Sequence, residues 1–176
     1  MKLASHFFIC CLFASIATAA EPISEKNWQN HPDVKKIRTI YSDIDAAEKI
    51  KKLEKHAKNC ISDPGNRALS QELYADRNNI IRKYVVDGSS EDSRGRAEYY
   101  YDEKGILRFT YRLHATVNGT ATEERIYFNE KGQHLYTDRK EKGPDVGSTG
   151  LPDAIENPRS DYMLTCSAYL GEVKGR

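Results

Sequence analysis

A strand–turn–strand unit occurs twice in the second half of the chain and constrains its fold more than any other sequence feature. Residues 99–107 and 126–135 each combine an aromatic strand, an Asx-Glu-Lys-Gly turn and a second strand. Gly105 and Gly132 stand where a type I turn followed by a bulge requires a positive φ. Between the two units, Asn118-Gly119 is a strong signal for a two-residue hairpin turn. The sequence therefore predicts three hairpins in series, which form an antiparallel meander.

Apolar and polar side chains alternate along residues 106–117, as they do in a strand with one buried face. We expect the apolar set to face the core and the polar set to face water. The apolar set is Leu107, Phe109, Tyr111, Leu113, Ala115 and Val117, and the polar set is Arg108, Thr110, Arg112, His114 and Thr116.

The two units resemble the tyrosine-aspartate (YD-type) β-hairpin repeat of large bacterial shell-forming toxins. The resemblance is confined to residues 99–138. It implies hairpin geometry, and no function is carried over from it. The matching residues are Tyr101, Asp102, Gly105 and Leu107 in the first unit and, less closely, Phe128, Asn129 and Gly132 in the second.

An amphipathic helix is predicted over residues 30–60. Asn30 or His31 can cap its start, and Pro32 suits its first turn. Ser42-Asp43 can break the helix, because both residue types favour caps over helix interiors. Its apolar stripe consists of Val34, Ile37, Tyr41, Ile44, Ala47, Ile50, Leu53, Ala57 and Cys60.

The remaining segments complete an α+β fold. Residues 66–78 are predicted as a short second helix, Ile80–Val86 as a strand, 87–94 as a polar loop and 140–160 as an irregular loop. The segment Ser160–Leu170 is predicted as a short helix, with a strand as the alternative. The expected architecture is an N-terminal amphipathic helix packed on an antiparallel meander of about five strands.

The first twenty residues are predicted to be a signal peptide. Lys2 supplies a positive start, the apolar run Phe7–Ile16 is too short to cross a bilayer, and Ala17-Thr18-Ala19 suits signal peptidase. We expect residues 21–176 to form one α+β domain that is periplasmic or secreted. Residues 21–30 are expected to be a flexible lead-in to this domain.

Cleavage of this segment removes two of the four cysteines and leaves Cys60 and Cys166. Because an exported protein meets an oxidising compartment, the pair predicts one intramolecular disulfide. Two free thiols or an intermolecular bridge are the alternatives. The absence of a Cys-x-x-Cys motif argues against a catalytic cysteine.

The mature chain is formally neutral. The full sequence has 27 Lys and Arg against 26 Asp and Glu, and Lys2 is the only charged residue in the segment removed. Neutrality argues against nucleic acid as a partner. The rest of the chain contains no second long apolar run, so no transmembrane segment is expected in the mature protein. The oligomeric state is left open.

Turn types fix strand register, so the predicted turns define which side chains share the water-facing side of the meander. A two-residue turn at Asn118-Gly119 pairs Arg112 with Arg125. The bulged turn at Gly105 places Arg96 beside Arg112. Like charges side by side in a sheet are destabilising by some tenths of a kcal/mol.

Two interpretations of this arginine row are open. The row is either neutralised by Glu98 and Glu123, or it binds an anion or an acidic partner, since guanidinium groups hold carboxylates and phosphates through two hydrogen bonds. The candidate ligand-binding residues are Arg94, Arg96, Arg112, His114, Arg125 and Tyr127.

No catalytic or metal-binding motif is found in the sequence. The four histidines of the mature chain are scattered without metal-ligand spacing, and the nucleophile elbow, P-loop and dinucleotide patterns are absent. We expect no metal and no cofactor. The favoured function is a non-catalytic binding module that contacts an envelope protein or anionic ligand through its exposed sheet face, inhibitor- or immunity-like by fold analogy only. A small secreted hydrolase using His114 and Glu123, or a structural envelope protein, are the alternatives.

Overall fold

The computed structural model describes residues 21–62, 67–143 and 151–163, which are called the described residues below. Seven strands form one antiparallel sheet in sequence order. They are Glu54–Ser62 (β1), Arg67–Ala75 (β2), Ile81–Ser89 (β3), Ser93–Tyr101 (β4), Leu107–Thr116 (β5), Ala121–Phe128 (β6) and His134–Lys142 (β7). The helical segments are a 3-10 turn at Trp28–Asn30, helix α1 at Pro32–Lys49 and helix α2 at Pro158–Met163. The prediction of about five strands is therefore wrong, because the sheet has seven.

The three predicted hairpins are confirmed as β4–β5, β5–β6 and β6–β7. Gly105, Gly119 and Gly132 adopt φ values of +76°, +83° and +75°, a region that residues with a Cβ rarely enter. At the first of these turns, the amide of Asp102 donates to the carbonyl of Ile106 at 2.9 Å. This is the bulged geometry that the glycine pattern predicts.

The Asn118-Gly119 turn differs from the prediction by one residue. The amide of Thr116 donates to the carbonyl of Thr120 at 2.9 Å, so three residues, 117–119, form the loop. A type I′ turn needs positive φ at both central residues, but here only Gly119 has it. The side-chain oxygen of Asn118 instead accepts from the Thr120 amide at 3.2 Å and supports the longer turn.

The extra loop residue shifts the predicted register. Arg112 lies opposite Glu124 on β6, where Arg125 was expected. The register of β4 and β5 differs from the prediction separately, with a shift between Tyr100 and Tyr101, so Arg112 lies opposite Ala97 where Arg96 was expected. Because successive side chains point to opposite faces, a slip of one residue moves a side chain to the other side of the sheet. The predicted pairings of the meander are therefore wrong, although its strands and turns are correctly located.

The predicted helix over residues 30–60 is correct only as far as Lys49. Nδ1 of His31 accepts from the amide of Asp33 at 3.3 Å and caps the start, and Ser42-Asp43 does not interrupt the helix. Lys51 has a φ of 55° just after the helix end. Ala57 and Cys60 continue the helical spacing of apolar residues beyond α1, but residues 54–62 pair with β2 and form an edge strand.

The predicted helix over residues 66–78 is also a strand, β2. Its inward positions are Leu69, Gln71, Leu73 and Ala75, all buried at alternate residues. Gln71 obscured this period of two, because its side chain is polar although only 1% is exposed. Its amide donates to the hydroxyl of Tyr84 at 2.5 Å, which satisfies part of the amide inside the core.

Several predicted boundaries also change. The predicted strand at Ile80–Val86 is β3 and extends to Ser89, and the predicted loop 87–94 shrinks to a turn between β3 and β4. Helix α2 begins at Pro158, before the predicted start at Ser160, and residues 164–176 lie outside the described residues. The signal peptide also lies outside them, and the lead-in over residues 21–30 contains the 3-10 turn.

The predicted link between Cys60 and Cys166 requires a further correction. Cys60 does not end a helix; it lies in β1 and is 3% exposed. It is the single cysteine among the described residues, so no disulfide joins two of them. Cys166 lies outside the described residues. The architecture is thus an antiparallel seven-stranded sheet with one long helix, instead of a helix packed on a meander of about five strands.

Each face of the sheet has its own core. On one face, called the helix-side face, Val34, Ile37 and Ile44 of α1 pack on Tyr100, Phe109 and Tyr127. The opposite face packs against Leu151–Met163, called the C-terminal strap. Three tyrosines of the sheet donate hydroxyl hydrogen bonds to this strap: Tyr84 to Asp161 Oδ2 (2.6 Å), Tyr99 to the Pro152 carbonyl (2.6 Å) and Tyr101 to the Ile155 carbonyl (2.8 Å).

Candidate binding surface

The six candidate site residues do not share one face. Arg94, Arg96, Arg125 and Tyr127 lie on the helix-side face, and Arg112 and His114 lie on the opposite face. Arg96 is paired with Leu113, and Arg125 with Tyr111, so the predicted row of three arginines is not formed.

Arg112 belongs to a buried ion-pair network. Its side chain is 7% exposed and lies 2.9 Å from Glu124 Oε2, with Asp153 of the strap as a second partner. Glu124 also pairs with Arg139 at 3.1 Å. Arg112 therefore neutralises local acids and joins the strap to the sheet, a structural role for a residue predicted to bind a ligand.

His114 is separated from Glu123, the carboxylate with which it was grouped in the hydrolase alternative. It lies opposite Thr122 on the strap side, whereas Glu123 lies opposite Leu113 on the helix side. Nδ1 of His114 and Oγ1 of Thr122 are both buried and have no hydrogen-bond partner among the described residues. The carboxylate of Glu123 and the imidazole of His114 therefore lie on opposite faces of the sheet.

Strand β5 carries apolar side chains beyond the area that α1 covers. Phe109 is buried beneath the helix and stacks on Tyr41 at a centroid distance of 4.4 Å. The alternate residues that follow are called the β5 stripe: Tyr111, Leu113, Ala115 and Val117. Leu113 is 37% exposed, and Val117, at the hairpin tip, is 81% exposed. The stripe was expected to be core, because alternation reveals an apolar face but not how far the covering helix reaches.

Paired charges flank the stripe on the β4 side. Asp87 lies 2.9 Å from Arg94 and 3.2 Å from Arg96, and Nε of Arg96 donates to Glu98 at 2.7 Å. The neighbouring carboxylates hold the pKa of both arginines above its usual value, although burial of Arg96 opposes this. These guanidinium groups are fixed in position by the acids beside them.

Paired charges also flank the stripe on the β6 side. Arg125 contacts Glu123 and lies 3.4 Å from Asp138 on β7. Its guanidinium also lies over the Tyr111 ring, 5.7 Å from the centroid, a cation–π arrangement. Apolar residues at the centre and paired charges on both sides together define this half of the face, which is called the open half.

Glu98 joins the open half to a buried network under α1. Burial alone would raise the pKa of Glu98, but a hydrogen bond from Tyr100 and the charges of Lys83 and Arg96 hold it below its usual range. Lys83, whose side chain is 7% exposed, lies 2.9 Å from Asp45, 2.8 Å from Glu48 and 3.2 Å from Glu98. Burial would lower the pKa of Lys83, but these acids raise it. A lysine held protonated is a poor nucleophile, which argues against a catalytic role for Lys83. Its ion pairs with Asp45 and Glu48 instead attach α1 to the sheet.

No protein-family model, curated protein or solved structure matches this chain. Within residues 21–62, 67–143 and 151–163, no helix is both long and apolar enough to cross a membrane. In the same ranges, His, Cys, Asp and Glu side chains form no group of three or more suited to a metal ion. The protein is therefore classified only by its architecture, which is an antiparallel sheet with helix α1 covering half of one face.

Proposed function

We propose that the mature chain is an exported, non-catalytic binding module that docks a partner protein on the β5 stripe. The observation that carries the proposal is the exposure of Leu113, at 37%, in the middle of a sheet face flanked by ion pairs. Protein interfaces combine an apolar centre with a polar rim that excludes water from it. The open half has this composition.

The charges of the open half favour a protein over an anionic polymer. Acidic side chains alternate with the arginines on both sides of the stripe, so a polyanion would meet Asp87, Glu98, Glu123 and Asp138 as well as the arginines. A protein segment with an apolar centre and flanking residues of both signs complements this pattern. The proposed partner is therefore a protein, and the sequence-based alternative of an anionic ligand is not retained.

The predicted signal peptide supports an extracytoplasmic location for this interaction. Separation of His114 from Glu123 across the sheet favours binding over the hydrolase alternative. Charged residues such as Arg139, Lys140 and Glu141 along the edge strand β7 disfavour pairing of the sheet with a second chain. The face of the sheet, and not its edge, is the proposed contact.

Site-specific photo-crosslinking in the native envelope would test this proposal. A benzophenone side chain at position 113 should capture one protein partner, whereas the same group at Ile50, which is 62% exposed on the end of α1, should not. Leu113→Arg should reduce affinity for the captured partner by at least tenfold, since a buried apolar anchor at an interface is worth about 2 kcal/mol. Ile50→Arg is the matched control and should bind as the wild type does.

Three results would overturn the proposal. The first is equal capture from positions 113 and 50. The second is a crosslink between two copies of this chain, which would make the stripe a self-association surface. The third is unchanged partner affinity in Leu113→Arg, provided that circular dichroism shows the variant to be folded.

A further inference from the structure

A third copy of the hairpin unit lies at the turn between β2 and β3, where a helix was expected. The pattern Asp76-x-x-Asn79-Ile80-x-Arg82 matches Asp102-x-x-Gly105-Ile106-x-Arg108 one hairpin later. Both turns have the same hydrogen bonds, because each aspartate amide donates to the isoleucine carbonyl at 2.9 Å. Asn79 adopts a φ of 63° where Gly105 has 76°. The repeat therefore places two arginines at equivalent positions on strands β3 and β5, with β4 between them.

Arg108 is buried and Arg82 is half-buried, but their donors are only partly used. Side-chain exposure is 18% for Arg82 and 5% for Arg108. Each Nε donates to a carbonyl of the next strand, Tyr101 at 3.2 Å and Phe128 at 3.3 Å. Arg108 also donates to Asp102, and Arg82 has a looser ion pair to Asp76 at 3.6 Å. A guanidinium has five N–H donors, so most of these have no hydrogen bond to the described residues.

Both arginines line a cavity of about 470 Å³ between α1 and the repeated turns. Helix α1 contributes the apolar side chains of Ile40, Ile44 and Ala47 to the cavity, together with two charged residues at its exposed margin. The carboxylate of Asp102, which also lines it, already accepts from two backbone amides of its own turn and from Arg108. The other charged residues of the lining are exposed to water: Lys36, Asp43, Glu103, Lys104 and Glu130. The unused donors of the less exposed lining charges are therefore those of Arg82 and Arg108. A cavity of this size falls in the range of small-molecule sites, about 300–1,000 Å³.

We propose that this cavity binds a small organic anion, with an apolar body against α1 and a carboxylate or sulfonate against Arg82 and Arg108. The apolar side chains of α1 would bury the body of the ligand, and the guanidinium groups of Arg82 and Arg108 match a planar or tetrahedral anionic group. The cavity lies at the end of the sheet away from the β5 hairpin tip, so this site is separate from the proposed docking surface.

A matched pair of fluorescent probes tests the site. The anionic probe is 1-anilinonaphthalene-8-sulfonate, and N-phenyl-1-naphthylamine is the same ring system without the sulfonate. The wild type should bind one anionic probe per chain, at least about tenfold more tightly than the neutral probe, as expected for charge-assisted hydrogen bonds. Arg82→Gln should remove most of this preference and leave binding of the neutral probe unchanged.

Two alanines provide the control for location. Ala47 lines the cavity, whereas its neighbour Ala46 is exposed on the outer face of α1. Ala47→Phe should fill the space and weaken binding of both probes at least tenfold, while Ala46→Phe should bind as the wild type does. Leu113→Arg should also leave probe binding unchanged, which distinguishes the cavity from the β5 stripe.

Equal affinity for the two probes in the wild type would overturn the proposal. Undiminished binding by Ala47→Phe would do the same, and so would loss of binding in Leu113→Arg. Thermal unfolding of each variant establishes that the compared proteins are folded.

Discussion

The two halves of the helix-side face are built from the same kinds of residue and differ in what covers them. Under α1, Lys83 is surrounded by three carboxylates at 7% side-chain exposure. In the open half, Arg94 pairs with Asp87 while its side chain is 70% exposed. Water therefore screens the Arg94–Asp87 pair more strongly than the ion pairs of Lys83. The comparison indicates that ion pairs under the helix hold the fold together, whereas those in the open half shape a surface.

Glu98 is the point at which the two halves meet. It contacts Lys83 on the covered side and Arg96 on the open side. Its partner on β5 is Tyr111, the first residue of the β5 stripe. A change in the charge of Glu98 should therefore affect both the attachment of α1 to the sheet and the rim of the proposed docking surface.

The largest effect is expected when the covered network loses its cation. Lys83→Met should lower the free energy of unfolding by about 3 kcal/mol, because it removes the cation shared by three partly buried carboxylates. Arg96→Met in the open half should cost about 1 kcal/mol or less. Urea denaturation of the two variants measures both values. Similar losses from the two substitutions would contradict the distinction between the halves.

The pH dependence of stability should expose the role of Glu98. Its pKa is lowered in the folded state, so its contribution is fully present above the unfolded value of about 4.3 and is lost as the pH falls through the lower folded value. We expect the wild type to lose stability on acidification more steeply than Glu98→Gln does. Thermal unfolding between pH 6 and 3, in constant salt, provides this comparison, and parallel curves would show that Glu98 is not responsible.

At alkaline pH the dependence of stability on pH has the opposite sign. The pKa of Lys83 is raised in the folded protein, so its contribution is present below the unfolded value of about 10.4 and is lost as the pH rises through the higher folded value. Burial and the charges of Glu98 and Asp45 also raise the pKa of Tyr100. Both groups therefore contribute stability that is lost at high pH.

The smallest effect is expected for the exposed pair of the open half. Arg94→Ala should shift the thermal midpoint by no more than about 2 °C, because a solvent-screened ion pair contributes little to stability. The same substitution should weaken the proposed partner complex, mainly through slower association at low salt. Calorimetry and binding kinetics measure the two effects separately. A large loss of stability would place Arg94 with the structural charges.

The sequence located the meander well, because its signals are local. Gly105 and Gly132 supply positive φ, and the aromatic residues around them favour strands, so the β4–β5 and β6–β7 turns follow from short segments alone. The start of α1 was similarly accessible, since His31 and Pro32 act within a single turn. None of these features depends on distant parts of the chain.

The face of each side chain was decided by one loop residue and by tertiary packing. Val117 joins the Asn118-Gly119 loop, and this single residue places Glu124, and not Arg125, opposite Arg112. Residues 54–62 follow a helical spacing in sequence but are strand β1 because β2 offers backbone partners there. Similarly, the extent of α1 over the sheet decides that Phe109 is core while Leu113 is exposed.

The amino-acid sequence by itself thus determined the hairpin turns, the start of α1 and the alternating pattern of β5. Only the tertiary structure decided the strand register, which strands lie at the edges of the sheet, and which half of the helix-side face α1 covers. The physical reason is range: turn preferences and caps are set by neighbouring residues, whereas register and burial depend on long-range pairing and on which element lies above a given side chain.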